Sequence, residues 1–229
     1  MMLTKDQNNF YYGDNDARRN GITNPLQLWP EATVVYEFDP SMEMQGVKNV
    51  FIAMFYIQSI SCVKFVERKK HHQNYVTFKD GNTCRSGVGM RKEPQSIIIS
   101  SKLCDTGNVV HELLHTLGFF HMHTTKGRDK FVTINWSNIK QSAIRNFKEI
   151  RSSSDMFNTP YDLSSILHYP TNAFAINENV PTIVTKTMNT NIGQRKCKHN
   201  IVIHFNKSNI INVSHRYDTR RYHSIKQTL

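Results

Sequence analysis

The segment His111-Glu112-Leu113-Leu114-His115-Thr116-Leu117-Gly118-Phe119-Phe120-His121 limits what this chain can fold into more than any other stretch. Residues four apart lie on nearly one face of a helix, so a helix over the first half aims His111 and His115 at one point. Gly118 falls where that helix would end. A glycine there takes the left-handed conformation that turns the chain back, and the return brings His121 to the same point. Three neutral imidazoles with a fourth position open describe a catalytic zinc site, since a structural site closes its coordination with a fourth protein ligand. Glu112 stands beside the first ligand, where a carboxylate can take a proton from metal-activated water and pass it to a leaving amine. The blander reading is an amphipathic helix with Leu113, Leu114 and Leu117 in a core and incidental histidines. It leaves the glycine and the third histidine at these offsets unexplained.

The extended motif is the one metzincins carry, and its continuation resembles the astacin family. After His121 the chain reads Met122-His123-Thr124-Thr125-Lys126-Gly127-Arg128-Asp129-Lys130-Phe131-Val132, with the family's Arg-Asp pair and the hydrophobic residues beyond it. Ser165-Ile166-Leu167-His168-Tyr169 resembles the Met-turn segment, Ile192-Gly193-Gln194-Arg195 the late I-G-Q-R, and Phe10-Tyr11-Tyr12-Gly13-Asp14 the F-x-G-D of astacin propeptides. Together these motifs cover most of residues 10 to 195.

The resemblance implies an α+β, two-lobed catalytic domain: a mixed sheet with the active-site helix above a cleft, and a mostly irregular or helical lower lobe. It implies one zinc per chain on His111, His115 and His121, Glu112 as proton shuttle, and Tyr169 as the tyrosine that ligates zinc at rest and swings to stabilise the oxyanion. It also implies a zymogen in which Asp14 occupies the open zinc position until cleavage near Arg18-Arg19. The expected division is a propeptide-like segment at 1–19, a catalytic domain at 20–195 and a divergent basic tail at 196–229. The expected activity is zinc-dependent hydrolysis of peptide bonds in a protein or peptide bound extended across the cleft. Two residues depart from the family pattern. Met122 stands where the family has the glutamate that receives the new N-terminus, and Leu167 replaces the methionine of the turn, an exchange of similar volume. Met122 and the altered tail also suggest a second reading, a catalytically weak homologue acting as a secreted binding module.

Four cysteines, Cys62, Cys84, Cys104 and Cys197, fit an oxidising compartment. By resemblance Cys84 and Cys104 form a local disulfide. Cys62 matches a cysteine that pairs near the family's C-terminus, and Cys197 is the candidate partner. Asn135, Asn206 and Asn212 begin N-x-S/T sequons, which secretion would make glycan sites. The chain opens Met1-Met2-Leu3-Thr4-Lys5-Asp6 without a charged-then-apolar leader, so the extracellular expectation rests on the family and the cysteines.

With 229 residues and 38% hydrophobic content, the chain can bury the core of one domain. No run approaches the length of a membrane span. Of the net charge of +11, the residues from Arg195 to Leu229 carry +7, as eight Lys/Arg against one Asp. That excess is a solvated basic end, and no element that reads nucleic acid accompanies it.

The periodicities fill in the frame. Val34, Tyr36 and Phe38 alternate as in a half-buried strand. Asp39-Pro40 suits the cap and first position of a helix carrying Val47, Val50, Phe51, Met54, Phe55 and Gln58 on one stripe. Tyr75 to Phe78 and Ser96 to Ile99 read as strands, with 81–89 a loop or edge segment beside the cleft. Asn135 suits the cap of a helix burying Trp136, Ile139, Ala143, Phe147 and Ile150.

Overall fold

A computed structural model of the chain describes residues 21, 22, 24–150 and 160–195, together with the backbone of strands at 201–205 and 211–215. Asp14, Arg18, Arg19 and Cys197 lie outside the described residues.

Alternating side chains build one five-stranded sheet from β1 (Thr33–Phe38), β2 (Lys64–Glu67), β3 (Val76–Lys79), β4 (Cys84–Arg85) and β5 (Gln95–Ile99), in the order β2-β1-β3-β5-β4. The first four strands in that order run parallel and β4 closes one edge antiparallel, with Cys84 opposite Ile99. Val76, Phe78, Ile97 and Ile99 point to one face, where they meet two helices, α1 (Met44–Ile60) and α2 (Thr106–Thr116). Val50, Ala53, Met54 and Ile57 of α1 and Val109, Val110, Leu113 and Leu114 of α2 complete this core. Burial of such apolar side chains stabilises each by about 1.5–3 kcal/mol relative to exposure. Asp105 caps α2, its side chain accepting from the Asn108 amide at 2.9 Å.

The second lobe has its own core of Met122, Val132, Ile139, Ala143, Phe147, Tyr161 and Ile183. It is built from short 3-10 helices, at Met122–Thr124, Arg128–Lys130, Trp136–Asn138 and Gln141–Phe147, and the antiparallel ribbon of β6 (Val132–Ile134) with β7 (Ile183–Thr185). Arg128 of the Arg-Asp pair is buried and holds this lobe together: Nη1 donates to the carbonyls of His123 (2.6 Å) and Phe147 (2.9 Å), and Nε to Asp129 (2.6 Å). The strands β8 (Ile201–Phe205) and β9 (Ile211–His215) pair as an antiparallel hairpin. No helix of the described residues is long and apolar enough to cross a membrane.

Three local expectations are corrected. Asp39 does not cap α1: its side chain accepts from the Ser41 amide in a turn, and the helix starts at Met44 after Glu43. The buried stripe of α1 is Gly46, Asn49, Val50, Ala53, Met54 and Ile57, while Phe51 and Phe55 are exposed. Small residues face α2 and its approach because the contact is close: a Cβ on Gly46 would lie 2.5 Å from Ser101 Oγ. The helix expected after Asn135 is two 3-10 turns broken at Ile139. The Ile139 backbone is extended and bridges Ala175, and Lys140 N–H bonds the Phe174 carbonyl, so cross-chain pairing competes with the helical ladder. Ile139, Ala143, Phe147 and Ile150 are buried as expected, but Trp136 is 43% exposed.

The disulfide Cys84–Cys104 is formed, tying edge strand β4 to the approach to α2 across 20 residues. Among the described residues Cys62 is a free and exposed thiol beyond the end of α1, and its expected partner Cys197 lies outside them.

Candidate active site

The metal-binding residues arise from one helix and its return. His111 and His115 sit one turn apart on α2. Gly118, at φ 108°, ends the helix, with its N–H bonded to the His115 carbonyl at 2.8 Å and that of Phe119 to Leu114 at 3.0 Å. The returning strand is flanked by Gly21 and Ile22, Gly21 bridging Phe119 and the Ile22 amide donating to the Gly118 carbonyl at 2.9 Å.

The three Nε2 atoms converge. His115 lies 3.1 Å from His111 and 3.2 Å from His121, and His111 lies 3.2 Å from His121. These contacts are not hydrogen bonds. Nδ1 of His111 donates to the Ile166 carbonyl and Nδ1 of His115 to the Phe119 carbonyl, both at 2.7 Å, which leaves Nε2 of each ring as a bare lone pair. Burial keeps all three rings neutral: His111 is lowered to about 3, and His115 and His121 well below the usual histidine value. Lone pairs packed so closely repel unless a cation lies among them. Zinc fits, because nitrogens at 2.0–2.1 Å from it with tetrahedral angles lie about 3.3 Å apart. His111, His115 and His121 are the metal-binding triad of this chain.

Around the triad stand the other expected residues. Glu112 is buried on α2, and desolvation raises its carboxyl above the ordinary range while the Ser86 amide directed at it pulls the other way. Its Oε2 has no hydrogen-bond partner among the described residues. Tyr169 lies against the third ligand, ring centroids 4.2 Å from His121 and 4.0 Å from His123. Leu167 is buried beneath the site in the upper-lobe core, and its carbonyl accepts from the Met122 amide at 3.0 Å. Met122 itself is buried in the lower-lobe core.

Several supports were not anticipated. The Ile166 carbonyl that orients His111 also accepts from Arg195 Nη1 at 3.0 Å, and the same nitrogen reaches the His168 carbonyl at 3.2 Å. Gln194 donates to the Ser164 carbonyl. The I-G-Q-R segment thus pins the turn that carries Ile166 and Tyr169. His168 is buried, its Nδ1 donating to the Tyr169 carbonyl at 2.9 Å and its Nε2 accepting from Tyr161 at 2.8 Å. Gln194 and Arg195 were visible as a motif, though not as clamps. The carbonyls of Phe119 and Ile166 leave no mark in a side-chain pattern.

A helix carrying two imidazoles, a glycine return carrying the third and a turn from the other lobe beneath them define the catalytic-domain class of the metzincins. The family model described as Astacin, a peptidase family, matches residues 21–209. "Zinc metalloproteinase nas-14" of Caenorhabditis elegans is 35% identical over 180 residues, covering 77% of this chain and 36% of that protein. "Nematocyst expressed protein 6" of Nematostella vectensis is 34% identical over 174 residues, covering 74% of this chain and 60% of that protein. The solved structure of high choriolytic enzyme 1, a hatching enzyme zinc-protease from Oryzias latipes, superposes with a TM-score of 0.72 at 30% identity, covering 77% of this chain and 91% of that one. The chain belongs to the astacin family. It spans between about a third and three fifths of the length of these two curated relatives.

Proposed function

We propose that this chain is a zinc-dependent endopeptidase that hydrolyses peptide bonds in proteins and is made as a secreted zymogen. The observation that carries the reading is the buried carboxyl of Glu112 beside three converging imidazoles. Zinc held by His111, His115 and His121 supplies a Lewis acid that polarises a carbonyl and lowers the pKa of water. Glu112 takes the proton of the attacking water and returns it to the leaving amine. Tyr169, stacked on His123 beside the third ligand, donates its phenol hydrogen to the developing oxyanion. A protein or peptide substrate binds extended across the cleft between the lobes.

The domain division follows the same reading: residues 1–19 as propeptide with Asp14 as the blocking ligand, 20–195 as catalytic domain and 196–229 as a basic tail. Pairing of Gly21 and Ile22 with the segment that leads to His121 supports a boundary near residue 20, since these residues are built into the catalytic domain. The disulfide supports an extracellular or otherwise oxidising compartment. The test is hydrolysis of casein and a fluorogenic peptide by the activated chain, with and without a chelator. Activity that persists through chelation, or none in zinc-loaded activated protein, overturns the reading.

A further inference from the structure

Each zinc-ligating histidine needs a partner for its second ring nitrogen, because that bond fixes the tautomer and the ring's angle. His111 and His115 have theirs in carbonyls, and His121 does not: its Nδ1 is buried with no hydrogen-bond partner among the described residues. With Nε2 turned to the metal point, His121 Nδ1 bears the hydrogen and is a donor lacking an acceptor.

A second buried nitrogen in the same condition lies beside it. The His123 ring is 5.5 Å from that of His121, centroid to centroid, and tilted from it by 38°. His123 Nε2 faces the Asn146 carbonyl at 3.0 Å, and a carbonyl only accepts, so Nε2 carries the hydrogen. In a fully buried, neutral ring this makes Nδ1 a bare acceptor, and among the described residues Nδ1 too has no partner. An orphan donor and an orphan acceptor in neighbouring buried rings are complementary. They make no direct hydrogen bond with each other, and a buried polar atom left unsatisfied is destabilising.

We propose that His123 is a positioning residue for the zinc ligand His121, holding it through one buried water that accepts from His121 Nδ1–H and donates to His123 Nδ1. A buried water with two or more polar partners is an ordinary structural component. The relay continues through the His123 Nε2–H bond to Asn146, so the 3-10 helix Gln141–Phe147 sets the angle of the third ligand. Stacking on Tyr169 and contact with Phe147, at 4.0 and 5.4 Å between centroids, hold His123 in that plane. This inference rests on the three-histidine metal site and not on the peptidase activity.

The test uses the full chain with zinc and reads metal affinity and tautomers rather than turnover. In zinc-loaded protein with 15N-labelled histidine, two-bond proton–nitrogen correlations should assign hydrogen to Nδ1 of His121 and to Nε2 of His123, and the His121 Nδ1–H proton should cross-relax with a bound water. His123→Phe keeps the ring packing and removes the acceptor. Chelator competition should then report about tenfold or greater loss of zinc affinity, with His123→Gln, which can still accept, in between. The proposal is overturned if His123 carries its hydrogen on Nδ1, if the His121 Nδ1–H proton shows no cross-relaxation with water, or if folded His123→Phe binds zinc within twofold of the parent. Should His123→Phe not fold, the tautomer measurement on the parent decides alone.

Discussion

His111 and Ile166 meet over 55 residues of sequence: the imidazole of one donates to the carbonyl of the other at 2.7 Å, and Ile166 is buried in the same core as α2. Arg195 bonds that same carbonyl from the opposite side at 3.0 Å, and its guanidinium also binds the carbonyls of His168, Gly193 and Gln194. Arg195→Ala removes these donors from a mostly buried turn. Unsatisfied carbonyls cost about 1–3 kcal/mol, so chemical denaturation should show a loss in that range. Zinc affinity measured by chelator competition should fall with it, since Ile166 no longer holds a fixed position for His111. Unchanged values in both measurements would count against the clamp.

Glu112→Gln separates metal binding from proton transfer. The amide nearly matches the carboxylate in shape and leaves three imidazoles untouched, so zinc content should remain at about one per chain. Hydrolysis of a fluorogenic peptide should fall by about 10²–10⁴-fold, the usual contribution of a positioned base. Equal rates for parent and variant would remove Glu112 from the mechanism.

Gly118→Ala tests the return of the chain. A Cβ there would stand 3.4 Å from Ile22 Cβ, an ordinary contact, so crowding is not the issue. The φ of 108° is, since L-residues adopt it only under strain of about 1–3 kcal/mol. Thermal unfolding should show that loss. It should be larger in zinc than in chelator, because the return segment delivers His121.

Replacing both Cys84 and Cys104 with serine should lower stability by about 3 kcal/mol in the chain-entropy account of a bridge closing a loop of 20 residues. Urea unfolding with and without the bridge provides the comparison. In the parent protein, alkylation without reductant should label Cys62 and spare Cys84 and Cys104. Labelled Cys84 in folded protein would contradict the pairing.

The proposal that Asp14 is the blocking ligand predicts that residues 1–19 inhibit in cis. A carboxylate oxygen is a competent zinc ligand, and a short tether sets an effective concentration on the order of millimolar. Full-length chain should hydrolyse a fluorogenic peptide more slowly than either Asp14→Ala or a chain starting at Asn20. Identical rates for all three would show that the segment does not inhibit.

The site was legible where chemistry needs side chains at fixed spacing. His111, His115, Gly118 and His121 announce a helix and its return because coordination geometry leaves few other arrangements. Cys84 with Cys104 was legible only through resemblance. The strands β1, β3 and β5 could be read from the sequence, but β2, which buries no side chain fully, and the register of α1 could not. Its buried face holds Gly46, Asn49 and Ala53 where a hydrophobicity pattern favours Phe51 and Phe55, and Asn49 is accommodated by donating to the Cys104 carbonyl at 2.9 Å. The break at Ile139 was hidden because the competing partner, Ala175, lies far along the chain. Arg195 as a clamp was hidden for the same reason, as all its acceptors are backbone.

His111 and His121 are only 10 residues apart in sequence, whereas the carbonyl that orients His111 is 55 residues away. Closing the short segment costs little loop entropy, and closing the long one costs more and comes later when contacts are distant. Metal capture can therefore precede the docking of Ile166 and its turn on His111 as the chain folds.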